Sequence, residues 1–237
     1  MNTAAARSAY ETWHLGHDVD REVATPWHRL LLRHIDAARD LADRTVMEIA
    51  CGRGGLARLL AGGRHRPKRL VAADFSQAAV GKGRACGVGI PRLTWSVTDL
   101  QAVAFRSATF DTVVSCESIE HVERPMTALQ ELCRVLRPGG RLYLTTPNYL
   151  GPLGAYRCYA RLLGRPYTEG GQPINHFMLL PRTCAWLRRA GFRVLRVDGI
   201  GHYVPWPGRL PLEWQGLDDV AFLRWMALHS LVVAERR

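Results

Sequence analysis

Four clusters in the chain carry residue types at spacings that could do chemistry. The first is VMEIACGRGGLARLL, residues 46–60, where an apolar run ends in a glycine turn and a new apolar-periodic stretch begins. Such a turn opens a helix whose free N–H groups can meet a polar or anionic ligand. Gly52 and Gly54 would let the backbone turn tightly and approach that ligand with no Cβ in the way, with Ala50 leading into the turn. Asp74-Phe75 follows, its carboxylate 22 residues after Gly52 at the end of the next apolar run, where it can accept two hydrogen bonds from a ribose diol. Taken alone, Gly52-x-Gly54-x-x-Ala57 also fits a nicotinamide-binding fingerprint. Glu48, four residues before Gly52, suits a cationic aminoacyl group rather than a pyrophosphate. Thr98-Asp99-Leu100 sets another carboxylate where it could accept from an adenine amino group, and Cys116-Glu117-Ser118-Ile119-Glu120-His121 gathers two carboxylates and an imidazole.

These clusters need a frame that brings run ends to one edge. Short apolar runs predict strands at residues 45–50, 69–73, 93–97, 110–115 and 141–146, alternating with helical stretches. One helix opens at Gly54, and another follows Arg124-Pro125 and stops at Pro138-Gly139-Gly140. Thr25-Pro26 reads as an N-cap with proline at the first helical position of an amphipathic helix over residues 27–41. That alternation implies parallel crossovers and helices on both faces of one sheet. The last third differs: a helix over 181–190 closed by Gly191, a strand over 192–199 and a final strand over 227–234, which suggest a terminal antiparallel pair. Residues 147–180, rich in Gly, Pro, Tyr and Arg, are too long for a plain connection and read as an inserted cap.

Length and composition agree with one α/β domain. The 237 residues are 47% hydrophobic and 22% charged, which excludes a disordered or fibrous chain. No apolar run reaches the roughly 18 residues of a transmembrane helix, and the N-terminus lacks the apolar core of a secretory signal, so a cytoplasmic protein is expected. The net charge of +11 is almost all arginine, 30 residues against Lys68 and Lys82. No compact basic run accompanies it, so the charge is read as a general surface property rather than a nucleic-acid footprint. It is uneven, however: residues 151–209 hold nine arginines against Glu169 and Asp198. The six cysteines are scattered without a CxxC pair and read as buried small hydrophobes.

Together, the glycine turn with Glu48, Asp74, Asp99, the run FDTVVSCESIEHV and the run RVLRPGGRLYLTTPN resemble the class I S-adenosylmethionine-dependent methyltransferases. The similarity is greatest to the branch of ubiquinone-type O-methyltransferases and of natural-product and sugar methyltransferases. It implies a Rossmann-like, mostly parallel seven-stranded sheet with a terminal antiparallel strand. Within the single domain, residues 1–43 would form a helical lid, 44–146 the cofactor-binding core, 147–180 the substrate cap and 181–237 the closing helix and strands. Residue by residue, Glu48, Ala50, Gly52 and Gly54 would hold the methionine end of the cofactor, and Asp74 its ribose, with Phe75 packing on the adenine. Thr98, Asp99 and Leu100 would read the adenine edge, Cys116 and Glu117 would line the floor below the sulfonium, and Tyr10 and Trp13 would supply an aromatic cover.

The resemblance further implies methyl transfer to a small-molecule acceptor, with a hydroxyl as the preferred nucleophile. His121 is the first candidate base, His176 the second, and Glu120 stands beside His121. Tyr149, Tyr156, Arg157, Arg161 and Asn175 are expected on the acceptor side. Arg157, Arg161 and Arg165 step by four on one helix face, which could meet an anionic group of the acceptor. Glu117, Glu120 and His121 match a Glu-x-x-Glu-His arrangement that holds a divalent cation such as Mg²⁺ in some relatives, although metal dependence is not the preferred reading. Amine and carbon acceptors stay open, as does a non-catalytic cofactor-binding partner subunit. Nucleic-acid methylation is disfavoured, because no Asn/Asp-Pro-Pro-Tyr/Phe motif follows the fourth strand. The Trp/Pro-rich segment 202–216 has no assigned role.

Overall fold

A computed structural model describes residues 3–17, 21–165, 171–204, 212–218 and 220–237. Five parallel strands come first: β1 (Thr45–Ile49), β2 (Arg69–Asp74), β3 (Leu93–Val97), β4 (Phe110–Cys116) and β5 (Leu136–Pro147). β6 (Phe192–Ile200) and β9 (His229–Arg236) complete a seven-stranded sheet in the order β3-β2-β1-β4-β5-β9-β6. β9 alone runs against its neighbours, pairing antiparallel with both β5 and β6. Between them, β7 (Tyr203–Val204) and β8 (Leu212–Glu213) form a two-residue ribbon within the Trp/Pro-rich segment, of which residues 205–211 lie outside the described residues. The expected sheet is therefore present. Its strand order reverses between β1 and β4, so ligands are expected beyond the carboxyl ends of those strands.

The central strands are buried on both faces, which is why they read as nearly unbroken apolar runs. One face is packed by α5 (Pro125–Val135) and α7 (Leu180–Arg189), through Leu129, Leu132, Leu180 and Leu187 against Met47, Val113 and Leu142. The other is packed by α2 (Pro26–His34) and α3 (Gly55–Gly62), through Leu30, Leu31, Leu56 and Leu60 against Val46, Val114 and Tyr143. Three further helices lie outside these layers: α1 (Thr3–Gly16), α4 (Gln77–Cys86), which borders β2 and β3, and α6 (Pro152–Leu162).

Two expectations need correction. The helix read over 27–41 ends at His34; Ile35 and Asp36 are extended, and a single π turn covers Ala37–Leu41. A buried carboxylate sets this break. Asp40 accepts from the Asp36 N–H at 3.0 Å, the Arg39 guanidinium at 2.7 Å and the Tyr143 hydroxyl at 2.5 Å. Burial would raise the Asp40 carboxyl, but the hydrogen bonds from Arg39 and Tyr143 outweigh it and hold it below the usual range. The second correction is at Pro138-Gly139-Gly140, which lies within β5 rather than at a helix end. Pairing with β4 jumps from Leu136 opposite Phe110 to Arg141 opposite Thr112, and Gly139 takes φ +76° in the intervening bulge.

Candidate active site

A cleft of about 890 Å³ opens at the carboxyl edge of β1, β2 and β4, roofed by α1. Two non-glycine residues with left-handed backbone mark its rim, Ala50 (φ +56°) just after β1 and Glu117 (φ +43°) just after β4. Such conformations cost roughly 1–3 kcal/mol each and persist where the surroundings over-determine them. At Glu117 the Thr145 carbonyl and hydroxyl both accept from its N–H, at 3.1 and 3.2 Å.

The glycine turn divides its labour. Gly52 faces the cleft, whereas Gly54 does not line it and caps α3 with φ +64°. A Cβ on Gly54 would stand 2.4 Å from the indole of Trp95, and one on Gly83 would meet the same ring at 2.4 Å. Gly54 is thus required by packing between α3, α4 and β3. Glu48 is buried within β1 at 2% exposure, and it too lies behind the cleft surface.

Asp74 ends β2 fully inside the protein. Its carboxylate accepts from the Gly52 N–H and the Ser76 N–H, both at 2.9 Å, which locks the glycine turn to the second strand. Burial raises this carboxyl, against the opposing pull of His14 and of the backbone N–H groups. Phe75, Thr98, Asp99 and Leu100 continue the wall. Thr98 accepts from the Ala104 N–H, and one oxygen of Asp99 accepts from the Gln101 N–H.

The roof is tied down at several points. The Tyr10 hydroxyl lies within 3.3 Å of the His121 carbonyl and 3.2 Å of the Ile174 carbonyl, and its ring stands edge-on to Phe75. Glu11 accepts from the Ala78 N–H at the start of α4, while Lys82 donates to the carbonyls of His14 and Leu15 at the end of α1. Trp13 faces the cleft and stacks on His17. His14 was not singled out in the sequence, yet it lines the cleft beside Asp74, its pKa lowered by burial. The available signal was its spacing: Tyr10, Trp13 and His14 share one face of a helix.

On the other wall stand Cys116, Glu117, Ser118 and His121. The His121 ring bonds the Ile174 carbonyl through Nδ1 at 2.8 Å, so that nitrogen carries the proton and Nε2 keeps the lone pair. Burial lowers the His121 pKa, outweighing the backbone bond and the nearby Glu117 carboxylate. Glu120 is fully buried beneath it, 3.7 Å from His121 Nε2, and accepts from the Thr146 hydroxyl at 3.1 Å.

The residues expected on the acceptor side fall elsewhere. His176 does not line the cleft; its Nε2 meets the Val122 carbonyl at 2.7 Å and its N–H the Glu120 carbonyl at 2.9 Å, fastening this segment to the turn below His121. Arg157 lies over the Tyr149 ring at 4.3 Å, and Tyr149 stacks on Phe177. Tyr156 and Arg161 are exposed on α6, Arg165 lies beyond that helix, and Asn175 is half-buried outside the cleft lining. Gln172 and Ile174 instead carry this part of the chain into the cleft, and Arg7 of α1 brings a cation. No residue-type motif marked them.

These surroundings fit an adenosyl cofactor: a buried carboxylate with spare lone pairs, a second carboxylate beyond β3, and Phe75 and Leu100 as apolar surfaces. They do not fit a divalent cation held by Glu117, Glu120 and His121. One oxygen of Glu117 lies toward His229, one oxygen of Glu120 is taken by Thr146, and among the described residues no three His, Cys, Asp or Glu side chains are grouped to hold a metal.

Comparison with known proteins agrees with this geometry. Residues 47–144 match the family described as methyltransferase domain. A ubiquinone biosynthesis O-methyltransferase of Xanthomonas oryzae pv. oryzae (strain PXO99A) is 32% identical over 192 residues, covering 77% of this chain and 76% of its own. A chain in the complex between the Haloferax volcanii Trm112 methyltransferase activator and a methyltransferase has a TM-score of 0.72 at 20% identity, covering 97% of this chain and 96% of that one. The S-adenosylmethionine dependent methyltransferase from Mesorhizobium loti has a TM-score of 0.64 at 17% identity, covering 90% and 99%. At those identities the two structures speak for the fold, and the Xanthomonas relative for the lineage. The chain belongs to the class I S-adenosylmethionine-dependent methyltransferases, and S-adenosylmethionine is its cofactor.

Proposed function

We propose that the enzyme methylates a hydroxyl of a small-molecule acceptor, with His121 as the general base. The cofactor supplies a methyl group on a sulfonium that leaves readily, so the protein has to align the nucleophile and remove its proton. The observation that carries this reading is the hydrogen bond from His121 Nδ1–H to the Ile174 carbonyl, which leaves Nε2 unprotonated on a ring that lines the cleft. The lowered pKa keeps that ring neutral at working pH. Buried Glu120, 3.7 Å from Nε2, then stabilises the imidazolium that forms once the proton has been taken. The O-methyltransferase name of the Xanthomonas relative supports the same nucleophile.

In this reading residues 1–43 close the cofactor in through Tyr10, Trp13 and His14, 44–146 bind it, and 147–180 shape the acceptor site through Gln172 and Ile174. An anionic group on the acceptor would meet Arg7 at the cleft rather than Arg157, which is occupied by aromatic rings. No helix among the described residues is long and apolar enough to cross a membrane.

The test is methyl transfer from S-adenosylmethionine to a panel of phenols and alcohols by the wild type and His121→Ala. General-base catalysis is worth about 10²–10⁴-fold, so the variant should lose that much in kcat while still binding S-adenosylhomocysteine. An amine acceptor needs no base, and a variant with unchanged kcat would assign the enzyme to nitrogen.

A further inference from the structure

We propose that His229 is a positioning residue of the acceptor site, orienting the Glu117 carboxylate so that its second oxygen accepts a hydrogen bond from the acceptor. This rests on the hydroxyl reading above. Glu117 follows the last residue of β4, and His229 opens β9, which runs the opposite way, so both stand at the same edge of the sheet. Their side chains approach to 3.7 Å between Glu117 Oε2 and His229 Nδ1.

Both groups keep an unsatisfied polar atom. Glu117 Oε1 and His229 Nδ1 are buried, and neither has a hydrogen-bond partner among the described residues. Buried polar atoms are nearly always paired, and an orphan beside a cleft marks a place where a partner completes the set. A small rotation of either side chain closes the 3.7 Å gap to a hydrogen bond, leaving Glu117 Oε1 for the ligand.

The surroundings hold the imidazole in place. His229 is 9% exposed, with the Trp27 ring centroid 5.1 Å away and the Tyr203 ring edge-on at 6.4 Å. Gly201 makes room for it: a Cβ there would lie 3.2 Å from His229 Cδ2. Glu117 itself lines the cleft and is fixed by its strained backbone and the two Thr145 contacts.

The position selects the acceptor rather than the cofactor. The adenosyl-side groups come from β1, β2 and β3, whereas Glu117 follows β4 and His229 lies two strands further out, on β9 beyond β5. A carboxylate there recognises a hydrogen-bond donor.

The test uses nitrogen-labelled full-length protein loaded with S-adenosylhomocysteine, and phenol as the smallest aromatic hydroxyl. Long-range nitrogen–proton correlation spectra should show His229 carrying its proton on Nδ1, with its resonances displaced in Glu117→Gln and on adding phenol. Phenol affinity should fall about tenfold in Glu117→Gln and in His229→Ala. His229→Gln, which can still donate, should recover part of it, with S-adenosylhomocysteine affinity unchanged in both His229 variants. A His229 protonated on Nε2 and indifferent to Glu117→Gln, or equal phenol affinity in wild type and His229→Ala, would overturn the proposal. The spectra of wild type and Glu117→Gln decide the matter even if the His229 variants fail to fold. Phenol that moves His229 while methyl transfer goes only to amines would sink the hydroxyl reading and leave the pair standing; methylated phenol with a silent His229 would do the reverse.

Discussion

Tyr10 and Ile174, 164 residues apart in the chain, meet at the mouth of the cleft, where the Tyr10 hydroxyl donates to the Ile174 carbonyl at 3.2 Å. The same carbonyl accepts from His121 Nδ1, so one backbone oxygen joins the roof helix to the proposed base. Roof closure and base orientation are therefore coupled. Tyr10→Phe removes the hydroxyl and leaves the ring on Phe75. At roughly 0.5–1.5 kcal/mol for a net hydrogen bond, S-adenosylhomocysteine should bind about two- to tenfold more weakly by calorimetry. Faster hydrogen exchange along α1 should accompany that loss.

The lowered pKa of His121 fixes the sense of the pH dependence. A base must be neutral to act, and a histidine with a depressed pKa remains neutral further into acid. The acid limb of kcat/KM should therefore lie below pH 6.5, the ordinary value for histidine. It should disappear in His121→Ala, and a pH–rate profile of both proteins checks this.

Asp74 trades stability for binding. Its raised pKa means that the folded state holds this proton more tightly than the unfolded chain does. Stability from this group is thus full below the unfolded value of 3.8 and declines as pH rises through the folded pKa. Asp74→Asn should flatten that decline in melting curves taken across pH. The same variant should bind S-adenosylmethionine at least about tenfold more weakly, having lost charge-assisted hydrogen bonds.

Gly81 and Gly83 lie two residues apart on α4 and should respond oppositely to alanine. Nothing lies within 4 Å of a Cβ at Gly81, whereas one at Gly83 would stand 2.4 Å from the Trp95 ring. Gly81→Ala should stabilise by about 0.4–1 kcal/mol through the unfolded chain. Gly83→Ala incurs an overpacking cost of about 1–3 kcal/mol, which exceeds the helix-propensity gain of at most about 1 kcal/mol. At roughly 2–4 °C per kcal/mol for a chain of this size, melting temperatures separate the two.

The elements legible in the sequence are those fixed by local pattern. Buried parallel strands announce themselves as apolar runs, and Asp74 stands out because a carboxylate ends one of them at a fixed distance from the glycine turn. What could not be read depends on partners remote in the chain. The break after His34 is set by Asp40 bonding Tyr143, 103 residues away. Gly54 is required by Trp95, which no motif connects to it. His14 reaches the cleft only because α1 docks on α4 through Glu11 and Lys82. The arginine steps on α6 gave a regular helix face but no information about where that helix points, and the chain enters the cleft at Gln172 and Ile174 instead.

The most direct test follows a labelled methyl group from S-adenosylmethionine into a mixture of phenols, alcohols and amines, with wild type and His121→Ala side by side. The account predicts label in a methyl ether, a loss of at least about a hundredfold in the variant, and S-adenosylhomocysteine binding kept by both. Label on nitrogen or carbon, or a variant as fast as wild type, would contradict it.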